Sequence, residues 1–179
     1  MKEPMRFAQW IGLSMVSVVF ALAGEADALR PGPGGLYETG SATRFDERGR
    51  SFFVVHEMRS LPAQKTAQGV IDADVDKQFT FFASRDLTCA EVKAMVRAGL
   101  DRAGQPAPAS TGFVGACNQN AVKARARLYL RYESATKTTT LSIDGGGSAT
   151  LRGAPAMKAV WSSFLNDAPK FSAALVSRL

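Results

Sequence analysis

Residues 127–152, "RLYLRYESATKTTTLSIDGGGSATLR", constrain the fold more than any other stretch. Leu128, Leu130 and Tyr132 alternate with Arg127, Tyr129 and Arg131, the period of a strand with one buried and one solvated face. "SATK" and "GGG" supply turns, so three strands follow one another. A sheet of this kind buries its apolar face only if another layer of the chain covers it.

The rest of the sequence supplies more strand and the cover. "LYETGSATRFDERGRSFFVVHEM", from Leu36 to Met58, reads as two strands around the polar turn "DERG", and "KQFTFFA" as a further short strand. "RDLTCAEVKAMVRAGL" then turns into a helix. Thr88 is its N-cap, Glu91 completes a capping box, and Leu87 with Val92 forms a hydrophobic staple. Val92, Met95, Val96, Leu100 and Ala103 make the apolar stripe, while Lys93, Arg97, Asp101 and Arg102 take the outer face. "GQPAPASTG" reads as the loop ending that helix. Two C-terminal helices follow, the first with a stripe of Met157, Val160, Trp161, Phe164 and Leu165, the second with Phe171, Ala174 and Leu175 after the break at "NDAP". The expectation is α+β, an antiparallel sheet covered on one face by helices.

The N-terminus has the plan of a secretory signal peptide: Lys2 and Arg6, the apolar run "WIGLSMVSVVFAL", then small residues around Ala26 and Ala28. An uncleaved anchor is the alternative. The chain divides into residues 1–28 as signal peptide, 29–35 ("LRPGPGG") as a flexible mature N-terminus, and 36–179 as one domain, which predicts a periplasmic or secreted protein. Cleavage removes Lys2 and Arg6 from 22 cations and Glu3, Glu25 and Asp27 from 16 anions, leaving 20 against 13 and a net charge of +7. The cations are dispersed. Lys123, Arg125, Arg127 and Arg131 fall mostly at alternate positions and suit a solvated face, and no nucleic-acid module accompanies them. Peripheral contact with anionic membrane or envelope components is the more natural consequence of the charge; no nucleic-acid partner is expected.

The chain has two cysteines, Cys89 at the helix start and Cys117 in "GFVGACNQN". In an oxidising compartment an even pair reads as a disulfide, with a reactive or metal-binding thiol as the alternative. Most chemical motifs are missing. His56 is the sole histidine, which excludes a multi-histidine metal site, and "HEMRS" lacks the second histidine of a zinc-protease helix. "DGGGS" has neither the spacing nor the lysine of a phosphate loop. No metal or cofactor is expected. The aromatic-rich "FTFF" and "FFVV" segments suit either core or the lining of an apolar cleft.

The order of elements resembles the bacterial chalcone isomerase-like family. The resemblance rests on the strand ending in "RDLT" before a helix, a strand pair around a short turn, a Gly-marked strand leading into "VWSSFLND", and "RFDERGRSFFVVHEMRSLPA" as the early strand pair. It covers residues 36–179 and implies an open-faced β-sandwich, a curved antiparallel sheet on a layer of helices with an apolar cleft between. Plant members close a chalcone to a flavanone, and others hold a fatty acid by an arginine. Arg44 has the nearest spacing to the family arginine, with Arg48 and Arg50 as competitors. The family's threonine is unmatched, since Val55, His56, Glu57 and Met58 occupy that neighbourhood, and its tyrosine and asparagine have no counterpart.

The expectation is therefore an exported, non-catalytic member that binds a hydrophobic, anionic small molecule. Arg44 would be the anchor, ahead of Arg50 as a ligand-binding candidate, with Phe53, Phe79 and Phe81 as candidates for the apolar wall. The alternatives are an isomerase or lyase acting on an enone, and a ligand-free envelope interaction module. Export predicts that protein recovered from the cell envelope begins at Leu29 and carries no free thiol. Intact-mass analysis checks both, and a chain that retains residues 1–28 contradicts the first.

Overall fold

The computed structural model describes residues 30–32 and 34–179. The expected signal peptide, residues 1–28, lies outside the described residues. In chain order the elements are β1 (Tyr37–Asp46), β2 (Gly49–Met58), α1 (Ala67–Asp72), β3 (Lys77–Ala83), β4 (Leu87–Thr88), α2 (Cys89–Arg102), α3 (Ala107–Val114), β5 (Ala121–Val122), β6 (Arg127–Glu133), β7 (Thr138–Ile143), β8 (Ser148–Arg152), α4 (Ala154–Leu165) and α5 (Pro169–Leu175). Six strands form one curved, open sheet in the order β1-β2-β3-β6-β7-β8, every neighbour antiparallel. The helices come from its connections and the C-terminus, and they cover one face. Before β1, the described glycines make a turn, with the Gly35 amide donating to the Gly32 carbonyl oxygen.

Alternation sets the register. Met58, Lys77 and Tyr132 face one another across three strands, and so do His56, Phe79 and Leu130, then Val54, Phe81 and Leu128. All nine side chains are buried on the covered face. From above, α4 contributes the stripe expected from sequence, and Met157, Val160, Trp161, Phe164 and Leu165 are all buried. Fully burying each large apolar side chain contributes about 1.5–3 kcal/mol. Close backbone approach helps: a Cβ on Gly99 of α2 would collide with Ser163 of α4.

The local signals in α2 hold in detail. The Thr88 hydroxyl accepts from the Glu91 amide at 3.2 Å, and a Glu91 carboxylate oxygen accepts from the Thr88 amide at 2.8 Å. Cys89 begins the helix and forms a disulfide with Cys117, 28 residues on. Two helices were not expected. The segment read as a Pro-rich loop contains α3, because prolines at and just before a helix start remove no hydrogen bond that the helix would make. The six residues of α1, "AQGVID", have weak helical propensity. A buried lysine compensates: Lys77 Nζ donates to the carbonyl oxygens of Val70, Ile71 and Ala73 at 2.6, 3.2 and 2.8 Å and lies 5.0 Å from the Trp161 ring centre. Such a cap from a strand leaves no mark in the helix's own sequence.

His56 is fully buried in the same layer. Trp161 Nε1–H, a donor only, lies 3.0 Å from His56 Nε2, so that nitrogen accepts. The ring proton is therefore on Nδ1 and is donated to Thr39 Oγ1 at 2.5 Å, and the Thr39 hydroxyl donates to the Leu175 carbonyl oxygen at 2.9 Å. Burial, reinforced by the nearby Lys77 charge, pushes His56 down to about 3, and burial pushes Lys77 down to about 7.

These shifts fix the sign of the pH dependence. Between pH 6.5 and about 4.5 the unfolded chain protonates His56 and the folded chain does not, so stability falls with pH by up to about 1.4 kcal/mol per unit. Between pH 7 and about 9 the unfolded chain retains a proton that folded Lys77 loses, so stability rises further. Urea unfolding across this range checks both slopes. Lys77→Met is expected to abolish the upper slope and leave the lower one, and a flat profile in the wild type contradicts the assignment.

Candidate functional site

The residues singled out from sequence fall in three different places. Phe79 and Phe81 lie on the covered face, under α4. Phe79 stacks on Trp161 at 5.4 Å between ring centres and meets Phe164 at 5.4 Å, and Phe81 meets Phe164 at 5.1 Å. Between these two strand positions and α4, the region expected as an apolar cleft is occupied by Trp161 and Phe164, and both phenylalanines are core. Phe53 projects from the opposite, open face of the sheet, 41 % exposed beside Phe82. It does not share a wall with Phe79 and Phe81. Arg50 is exposed at the start of β2, and Arg48, in the β1–β2 turn, pairs with Glu91 at 3.4 Å.

Arg44 is different. Ala42 and Arg44 of β1 pair with Val54 and Phe52, both inward-facing, so alternation places Arg44 on the covered face, at the rim where the edge strand runs out from under the helices. Its guanidinium lies 2.6 Å from Asp167 Oδ2, and Asp167 Oδ1 lies 2.6 Å from Arg102 Nη2 of α2. The Phe171 ring centre of α5 is 5.8 Å from the Arg44 guanidinium carbon. Both members of the Arg44–Asp167 pair are shielded, at 23 % and 16 % side-chain exposure.

Arg44 lines two cavities. One, of about 460 Å³, runs between β1 and α5, with Ala42, Phe45, Ala168, Phe171 and Ala174 giving it a mainly apolar wall and Lys170 a second cation. The other, of about 440 Å³, lies between the β1–β2 turn and α2, with Phe52, Leu87, Ala94 and Met95 beside charged groups. Four of its charged residues, Asp46, Arg48, Arg85 and Glu91, pair among themselves. Arg85 Nη2 reaches Asp46 at 2.6 Å and Glu91 at 3.0 Å. The Thr88 amide and hydroxyl, with Arg85, hold the Glu91 carboxyl down at about 2.

Asp167, Arg102, Lys170 and Phe171 were not singled out as site residues. "NDAP" signals a helix break, but nothing local tells that Asp167 meets a guanidinium on the first strand. The arrangement can hold an anion by charge-assisted hydrogen bonds next to apolar surface. His56 has both ring nitrogens engaged and is not free to act as a base. Among the described residues no cluster of three or more His, Cys, Asp or Glu is placed to hold a metal ion, and no helix is long and apolar enough to cross a membrane.

The curved, open antiparallel sheet of six strands with its helices matches the chalcone isomerase-like fold. Among solved structures it is similar to the crystal structure of an Arabidopsis thaliana fatty-acid binding protein, with a TM-score of 0.63, 9% identity, and coverage of 78% of this chain and 84% of that one. No family model matches the sequence, and no curated protein matches it.

Proposed function

We propose that the chain is an exported, non-catalytic binding protein for a hydrophobic small molecule with an anionic head group, of the fatty-acid class. The observation that carries this reading is Arg44, a cation on the covered face at the meeting of two cavities, one of them with a mainly apolar wall. A guanidinium there offers two parallel donors to a carboxylate, and an alkyl chain gains about 0.8 kcal/mol for each CH₂ it buries. The structural neighbour's name, fatty-acid binding protein, supports the same ligand class. The net positive charge favours collection of anionic amphiphiles and peripheral contact with anionic lipid.

A second reading, a ligand-free interaction module of the envelope, has one observation in its favour: Trp161 and Phe164 pack directly on Phe79 and Phe81. Calorimetric titration of the mature protein with dodecanoate separates the two. Binding is expected, and Arg44→Ala is expected to weaken it by about tenfold to a hundredfold, the range set by loss of a charged hydrogen bond of about 1.5–3 kcal/mol. No uptake by the wild type overturns the binding reading, and equal affinity in the variant overturns Arg44 as anchor.

A further inference from the structure

Asp167 already makes at Arg44 the contact that an incoming carboxylate would make. Its oxygens are divided between two guanidiniums, at 2.6 Å from Arg44 and 2.6 Å from Arg102. A fatty-acid head group bound at Arg44 would accept the same hydrogen bonds. Among the described residues, Asp167 is also the only acid on the wall of the β1–α5 cavity, which carries Arg44 and Lys170. Lys170 takes no ion pair among the described residues. With Asp167 seated, Arg44 is neutralised. With Asp167 turned away, the rim presents uncompensated positive charge beside apolar walls.

Asp167 is held by side chains and not by a helix. It stands in the short linker between Leu165, the last residue of α4, and Pro169, the first of α5. The far end of α5 is fixed to the sheet edge. The Leu175 carbonyl oxygen accepts from Thr39, the Arg178 amide donates to the Thr39 carbonyl oxygen at 2.8 Å, and Gly40 lies so close that a Cβ there would overlap the Ala174 carbonyl oxygen. The near end is held to β1 by an ion pair whose partners are exchangeable in kind. One end of α5 is thus locked by close backbone packing, and the other by a contact that a soluble anion can replace.

We propose that Asp167 is the specificity-determining gate of this site: an internal carboxylate that occupies Arg44 when no ligand is bound and is exchanged for the ligand's anionic group on entry. This rests on the binding function proposed above. The ligand class follows from the exchange. A single carboxylate on an alkyl chain replaces Asp167 charge for charge, whereas a neutral amphiphile of the same length brings only a weaker, uncharged acceptor and leaves it in place. The tethered carboxylate competes at a high effective concentration, so it lowers apparent affinity for anionic ligands.

Full-length mature protein titrated with dodecanoate and with dodecanol tests this. Asp167→Asn is expected to raise the ratio of dodecanoate to dodecanol affinity about tenfold or more, and the double variant Arg44→Gln with Asp167→Asn is expected to lose that gain. Asp167→Glu, which retains the charge, is expected to behave like the wild type. Asp167→Ser reads the same ratio if the asparagine variant does not fold. If the wild type binds dodecanoate and neither uncharged variant binds it more selectively, the gate is overturned while the binding function stands. If the wild type takes up no dodecanoate, the binding function fails and the gate with it.

Discussion

The relay from Trp161 through His56 and Thr39 to the Leu175 carbonyl oxygen joins parts of the chain that no local signal connects. It links α4 to β2, β2 to β1, and β1 to the end of α5. Every group in it is buried, and once the indole is recognised as a donor only, the imidazole proton is placed on Nδ1. A satisfied buried polar chain specifies one arrangement, because any shift leaves a donor or acceptor without a partner in a medium that penalises it by about 1–3 kcal/mol. The apolar stripe of α4 would tolerate some sliding over the sheet; the indole–imidazole contact does not.

Lys77 extends the same logic to the other end of the layer. Its ammonium lies on Trp161 and supplies the cap that α1 cannot make for itself. The tryptophan is thereby held by a hydrogen bond on one side and a cation on the other, with Phe79 stacked on it and Phe164 beside that ring. Aromatic packing of this density fills the middle of the layer. What space the described cavities offer lies at the rim, where β1 emerges beside α5 and α2, and there the charged residue facing inward is Arg44. The fixed centre and the exchangeable rim are two consequences of one packing arrangement.

Much of this was legible in the sequence. Period-two alternation in Leu128–Tyr132 and period-3.6 stripes in α2 and α4 are written in adjacent residues, and so are the Thr88–Glu91 box and the turn after Asp46. They give the elements, and with the cysteine pair they give the staple. The two short helices were not legible: α1 depends on a lysine from a strand, and α3 on prolines that also suit a loop. Among the candidate site residues, Arg44 came from the family resemblance and not from the pattern of its own strand; Phe53 falls on the open face because alternation assigns a side only relative to neighbours, and Phe79 and Phe81 belong to the core. Asp167 and Arg102 escaped because ion pairs between distant segments follow from three-dimensional proximity, and composition there shows only a helix break and an outward-facing arginine.

The most direct test of a filled centre and an exchangeable rim is a nitrogen–proton correlation spectrum of the mature protein, recorded as dodecanoate is added. Shifts are expected at Arg44, Phe45, Asp167 and Phe171, with the Trp161 indole resonance unmoved because its hydrogen bond to His56 is retained. A large shift of that indole signal, with the rim silent, would mean that the ligand enters between sheet and α4 and that the relay is not the fixed point of the fold.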